Sequence, residues 1–169
     1  MYSNRQWVLA QRPAGEPDLD CFELHETQTA EPTNGEILVE TRYLSVDPYM
    51  RGRMSEQESY AEPWAVGEPL EGGIVGEVVE TASDAFDIGD LVTGQGIWAE
   101  YSLLDVADVA PVDPSVAPPE AYLGILGMPG RTAYFGLLEV GDPAPGDTVV
   151  ISGAAGAVGS VVGQIAKLN

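Results

Sequence analysis

The sequence predicts a mainly β, barrel-like domain followed by the opening strand and helix of an α/β unit, and three observations carry that expectation. Short apolar runs alternate with turn chemistry through the first hundred or so residues, a proline-rich stretch interrupts the pattern near residue 110, and helical spacing takes over afterwards. At 169 residues and 44% hydrophobic content, the chain can bury one full-sized core with a smaller element attached.

Candidate strands run from Gln6 to Gln11, Cys21 to Glu26, Glu36 to Val46, Gly72 to Glu80, Asp90 to Gly94 and Ile97 to Leu103. Between them lie Arg12-Pro13-Ala14-Gly15-Glu16-Pro17, Glu31-Pro32-Thr33-Asn34-Gly35, Asp87-Ile88-Gly89-Asp90 and Gly94-Gln95-Gly96. Proline presets φ in such segments, and glycine or asparagine permits a positive one. Ile74, Val75, Val78 and Val79 surround Gly76-Glu77, so this strand is expected to bulge or to bring another backbone close at its glycines. The segment from Ala110 to Glu120 carries four prolines' worth of constraint at Pro111, Pro114, Pro118 and Pro119 and reads as a connector. We place the domain boundary there, with a first domain at 1–118 and a second at 119–169. From Ala121 to Leu138 the pattern is helical, with an expected interruption at Gly127-Met128-Pro129-Gly130, and Gly141 to Asp147 ends it.

The chain closes on Val149-Val150-Ile151, a small-residue turn at Gly153 to Gly159, and a helix whose apolar face is Val158, Val161, Val162, Ile165 and Ala166. That strand, turn and helix match the pyrophosphate-binding start of a dinucleotide-binding domain, where small residues let the backbone approach the anion and the helix N-terminus holds it. Ala154 stands at the first glycine position of the G-x-G-x-x-G pattern, and Gly156 and Gly159 keep the second and third. A tight turn with no ligand is the other reading of the same residues. The residue that distinguishes NAD from NADP lies roughly 20 positions past the turn, beyond Asn169.

Twenty-seven Asp and Glu against seven Lys and Arg leave a formal net charge of −20, which makes nucleic acid and anionic membrane poor partners. Either plain solubility or a host adapted to high salt, where ions screen dense surface carboxylates, accounts for such a bias; we expect the halophilic case. One cysteine, Cys21, and one histidine, His25, exclude an internal disulfide and a Cys/His zinc site, leaving only carboxylates for metal ligation. Both read as core or rim packing. No run of about 18 apolar residues occurs, and the N-terminus lacks a signal-like apolar core, so a soluble, cytoplasmic chain is expected.

Three segments carry a family resemblance: Leu44-Ser45-Val46-Asp47-Pro48-Tyr49-Met50-Arg51-Gly52-Arg53-Met54, the stretch from Leu126 to Val140 containing Met128-Pro129-Gly130-Arg131-Thr132, and Ala154 to Lys167. Together they resemble the leukotriene B4 12-hydroxydehydrogenase/prostaglandin reductase family of zinc-independent medium-chain dehydrogenases/reductases. The resemblance implies a GroES-like domain followed by a Rossmann domain, NADP as cofactor, and reduction of the C=C bond of α,β-unsaturated ketones and aldehydes. It also implies a homodimer in the full-length form.

On the same ground Tyr49 is the catalytic candidate, since a phenol with a reference pKa near 10 stays protonated at neutral pH and can donate to an oxyanion. Met128 and Thr132 fall beside the nicotinamide, and Ala155, Gly156, Ala157, Val158 and Gly159 fall at the phosphates. Taken without the resemblance, Tyr49 reads as ring packing and Met128 and Thr132 as helix packing. Arg51 and Arg53 are expected to serve structural ion pairs rather than to meet a substrate's anionic tail. Asp47, before a proline, is expected to shape the turn that presents Tyr49. A chain ending within the second domain is expected to be weakly active or inactive by itself. The alternatives are a non-catalytic binding or assembly module and a quinone reductase of the same superfamily.

Overall fold

The structure is a computed structural model that describes residues 1–56 and 60–168. By internal packing it divides into two compact units, Met1–Val112 and a second from Asp113 onward.

In the first unit, β1 (Ser3–Leu9) and β2 (Phe22–Gln28) pair antiparallel as one sheet. A second, five-stranded antiparallel sheet is built from β3 (Glu36–Leu44), β4 (Glu71–Thr81), β5 (Leu91–Ile97), β6 (Tyr101–Asp105) and β7 (Val109–Pro111), in the order β6-β3-β4-β5-β7. Isolated bridges from Gln6 to Ala99 and from Val8 to Pro69 tie the two sheets together. The result is the curled, mainly β half-barrel that the turn density predicts. Two apolar clusters fill it. One is Ile37, Val39, Ile74, Val78 and Val92, contributed by the central strands, and the other is Leu9, Cys21, Met50, Met54, Trp64 and Leu70. Alternation along a strand sends successive side chains to opposite faces, and here both faces of β3 and β4 find cover: Leu38 and Val75 are buried as fully as Ile37 and Ile74.

The glycines of β4 act as the sequence suggests. A Cβ on Gly76 would collide with the Glu40 carbonyl oxygen and Val39 Cγ1, and the β3–β4 register shifts at Leu38/Val39 and again at Thr41/Tyr43. Gly94-Gln95-Gly96 is a correction: these residues form no turn but lie inside β5. A Cβ at Gly94 would sit 2.9 Å from Val109 Cγ1, and one at Gly96 would sit 2.8 Å from Ser102 Oγ, so neighbouring strands occupy the space. The two glycines are there for close approach rather than for a positive φ. The predicted connector also begins later than expected, because Ala110 and Pro111 belong to β7. That strand is an edge, where proline's missing N–H removes nothing from the ladder's other side.

In the second unit, the chain makes a 3-10 turn at Pro119–Leu123, α2 at Met128–Phe135, a π-helical turn at Gly136–Gly141 and α3 at Ala157–Leu168; α1 is the short Tyr49–Arg53 helix of the first unit. The predicted interruption at Gly127 to Gly130 is the N-terminus of α2, with Pro129 in the first turn where its missing N–H is harmless. Asp142, at φ 43°, closes the π-helical turn in the left-handed region. The predicted strand at Val149 to Ile151 is not formed: these residues join no ladder, and a strand requires a neighbour to accept its hydrogen bonds. The apolar residues around it differ in cover. Val150 is 90% exposed, while Val161 is buried and Val149 and Ile151 are half-buried. Among the described residues no helix is long and apolar enough to cross a membrane, and no three His, Cys, Asp or Glu side chains converge as metal ligands.

Candidate active site

In the first unit the Leu44 to Met54 motif folds over the glycine pair at the start of β4. Ser45 N–H donates to the Gly73 carbonyl at 2.8 Å, and a Cβ on Gly72 would meet Met50 Cε at 2.8 Å, Trp98 Nε1 at 3.1 Å and the Ser45 carbonyl at 3.2 Å. Only a glycine there lets the motif lie so close to the sheet. Asp47 shapes the following turn: its carboxylate accepts from the Ser45 hydroxyl at 2.8 Å, and its carbonyl accepts from Met50 N–H at 3.0 Å. Tyr49 is therefore delivered as the first residue of α1, half-buried, with its ring packed on the Leu9, Cys21, Met50, Met54, Trp64 and Leu70 cluster. Burial, and after it the Asp47 carboxylate, pushes the Tyr49 phenol above its ordinary range, with the Arg53 guanidinium pulling the other way. The proton is held at neutral pH.

The two arginines of the motif separate. Arg53 pairs with Glu71 at 2.6 Å, donates from Nε to the Glu62 carbonyl at 2.8 Å and lies 4.9 Å from the centre of the Trp64 ring. Its structural occupation matches the ion-pairing expectation. Arg51 instead donates to the Gly15 carbonyl at 2.6 Å. Cys21 is buried, its thiol 3.4 Å from Asp18 Oδ1, and His25 pairs with Glu23 at 3.3 Å. Among the described residues, neither belongs to a group of three or more His, Cys, Asp or Glu that could hold a metal ion.

In the second unit, Met128 and Thr132 share a face of α2 at i, i+4 spacing, and the Thr132 hydroxyl donates to Met128 Sδ at 3.5 Å. Both side chains are exposed. Pro129, Gly130 and Ala133 form the buried side, where a Cβ on Gly130 would run into the Ile125 carbonyl. The face that carries Met128 and Thr132 is thus open, and the face behind them is locked.

The turn before α3 is held by Gly153, at φ 61° in the left-handed region. Its carbonyl accepts from Gly156 N–H at 2.9 Å, and the first α-helical bond of α3 runs from Ser160 N–H to the Gly156 carbonyl at 3.0 Å. The amides of Ala157, Val158 and Gly159 precede that bond, as the first N–H groups of any helix must. Gly159 is buried, and a Cβ there would collide with the Gly153 carbonyl oxygen. These facts explain the departure from the glycine pattern: the left-handed residue is Gly153, so Ala154 can stand where a glycine was expected. The sequence had the signal, since Gly153 is adjacent, but only the φ angle identifies which of the two residues needs to be glycine.

The first unit is thus a mainly β half-barrel, and the second carries a glycine-rich turn with backbone donors at the start of α3. The chain belongs to the family described as the N-terminal domain of oxidoreductase, whose model matches residues 5–112. Within that class, the medium-chain reductase family read from the three motifs is borne out by its relatives. The putative NADP-dependent oxidoreductase YfmJ of Bacillus subtilis is 52% identical over 99% of this chain and 49% of its own length. NADPH-dependent curcumin reductase of Escherichia coli is 46% identical over 98% of this chain and 48% of its own, and prostaglandin reductase 1 of Oryctolagus cuniculus 41% over 100% and 47%. Among solved structures, CurA from Vibrio vulnificus superimposes with a TM-score of 0.91 at 46% identity, covering 98% of this chain and 49% of that one. A further structure of that protein is a complex with NADPH. The chain spans about half the length of the curated relatives it matches. A quinone oxidoreductase from Coxiella burnetii, at 22% identity and a TM-score of 0.73, shares the fold.

Proposed function

We propose that this chain is the substrate-side domain and the beginning of the cofactor domain of an NADPH-dependent reductase of α,β-unsaturated ketones and aldehydes. The observation that carries the reading is the Gly153 to Gly159 turn, whose buried Gly159 leaves the backbone bare at the start of α3. Ala155, Gly156, Ala157, Val158 and Gly159 fit a pyrophosphate there: backbone amides point outward from a helix N-terminus, and no side chain larger than alanine stands in the turn before Val158. The sequence similarity to NADPH-dependent curcumin reductase and prostaglandin reductase supports the same cofactor and substrate class. NADPH held there would supply the hydride for reduction of the enone double bond.

The chain's own residues do the rest. Met128 and Thr132, on the open face of α2, hold the nicotinamide, the threonine hydroxyl serving its carboxamide. Tyr49 donates to the carbonyl oxygen as negative charge builds there, and its raised pKa keeps it a donor at neutral pH. We assign residues 1–118 to the substrate-side domain and 119–169 to the cofactor domain. The complete protein is proposed to be a cytoplasmic, zinc-independent homodimer, and the net charge of −20 supports a halophilic origin. Against the identities of 41% and above to NADP-linked double-bond reductases, the quinone reductase and the non-catalytic module are the weaker readings.

The test is a chimera in which these 169 residues replace the matching half of the E. coli curcumin reductase, assayed for enone-dependent NADPH oxidation. Activity is expected. A folded chimera that binds no NADPH overturns the cofactor reading, and one that binds NADPH yet reduces no enone overturns the substrate class.

A further inference from the structure

Tyr49 and Arg53 are the first and last residues of α1, four positions apart, so their side chains leave the same side of the helix. Arg53 is not a loose surface cation. Three separate groups hold it: the Glu71 carboxylate from β4, the Glu62 carbonyl, and the Trp64 indole beneath its guanidinium. Its side chain is only 17% exposed. Trp64 is buried in the cluster on which the Tyr49 ring also packs, so the platform under the cation and the platform under the phenol are one body.

We propose that Arg53 is a positioning residue for Tyr49, a clamped positive charge that orients the phenol and offsets the negative charge drawn onto its oxygen when it donates to a developing enolate. The inference rests on the proposed donor role of Tyr49. A surface ion pair alone would need neither a cation-π platform nor a third anchor, and surface pairs contribute little to stability. The clamp buries the cation partly and fixes it, the condition under which a charge acts strongly on its neighbour. The groups facing the Tyr49 oxygen pull in opposite directions: Asp47 and Tyr60 oppose ionisation, and Arg53 favours it. Removing Arg53 leaves the opposing set unbalanced.

The test uses the 169-residue chain labelled with 13C at the tyrosine and arginine ζ carbons, and follows the Tyr49 resonance, assigned by its loss in Tyr49→Phe, through its alkaline titration. Arg53→Met keeps an unbranched apolar stem on Trp64 and removes the charge, and should move the Tyr49 midpoint upward by about one pH unit, within the range seen for a neighbouring opposite charge. Arg53→Lys restores the charge and should recover at least half of that shift. Tyr101, whose phenol is pushed up by burial and then by Glu40 and Glu100, is the internal reference and should not move. In the parent chain the Arg53 ζ carbon should itself shift with the Tyr49 midpoint, and should stay flat in Tyr49→Phe; this readout stands even where Arg53→Met does not fold. An unmoved Tyr49 midpoint in a folded Arg53→Met, a lysine variant no different from the methionine one, or an Arg53 carbon blind to Tyr49 overturns the proposal. Turnover of Tyr49→Phe in the chimera is a separate measurement: unchanged turnover sinks the donor role, whereas an unmoved titration sinks the role of Arg53.

Discussion

Substitution of Gly159 by alanine tests whether the turn before α3 is built for close approach. An added Cβ would lie 2.9 Å from the Gly153 carbonyl carbon and 3.0 Å from Ala154 Cα, and nearer still to the Gly153 carbonyl oxygen. All three are backbone atoms, so no rotamer change relieves the clash, and the turn itself has to retreat by up to about 1 Å to reach ordinary contact distances. Overpacking of this kind costs about 1–3 kcal/mol, equivalent to roughly a 5- to 150-fold loss of hydrogen-exchange protection for the first bonded amides of α3. Gly156→Ala is the control, because its Cβ would lie 3.2 Å from the same oxygen, a contact the turn absorbs with a shift of a few tenths of an ångström. Exchange at Ser160 N–H, which donates to the Gly156 carbonyl, is the direct probe. In the chimera, the displaced amides should weaken NADPH about 100-fold if a 1 Å misplacement acts on binding as it does on reactive geometry. Equal protection loss in the two variants, or NADPH affinity unchanged in Gly159→Ala, refutes the reasoning.

Four further outcomes are expected. Tyr49→Phe in the chimera should lower kcat for an enone by about 100-fold or more, the usual loss for one oxyanion donor, with NADPH affinity within about twofold; steady-state kinetics and a fluorescence titration decide it. Because the folded chain holds the Tyr49 proton more tightly than the unfolded one, this group's contribution to stability is complete below pH about 10 and falls as pH rises through the folded value. Urea midpoints at pH 8 and pH 10.5 should therefore drop less in Tyr49→Phe than in the parent. Raising KCl from about 0.1 M to 1 M shortens the Debye length from about 10 to 3 Å and should raise the Tm of a chain with net charge −20; equal melting in both salts contradicts the halophilic reading. Ile74→Ala, in the fully buried centre of the half-barrel, should cost about 2–5 kcal/mol by denaturant unfolding, while Ile88→Ala, 68% exposed, should fall within about 0.5 kcal/mol of the parent.

The candidate site was legible where chemistry leaves a local trace. Tyr49 beside Asp47-Pro48, and the run from Ala155 to Gly159 after the apolar Val149-Val150-Ile151, are readable because turn residues and bare backbone are written in consecutive letters. Arg53 was assigned to ion pairing, which the Glu71 contact bears out; the Trp64 platform beneath it comes from a residue eleven positions on, and no periodicity connects the two. The Gly94-Gln95-Gly96 turn was misplaced for a related reason. Glycine marks both a bend and a tight interstrand contact, and only Val109, Ser102 and Ile74 packed against these positions distinguish the second use from the first.

Alternation of apolar residues and turn chemistry by themselves determined a mainly β domain, its succession of strands and the start of α3, and three consecutive-residue motifs carried the family resemblance. These are set by the local preferences of a few neighbouring residues, which the chain carries wherever it goes. Tertiary structure decided the rest: which glycine takes the positive φ, which glycines yield to a neighbouring strand, and that Val149 to Ile151 join no ladder. Each depends on an atom supplied from elsewhere in the fold, or on its absence, and a strand becomes a strand only when another backbone answers its hydrogen bonds.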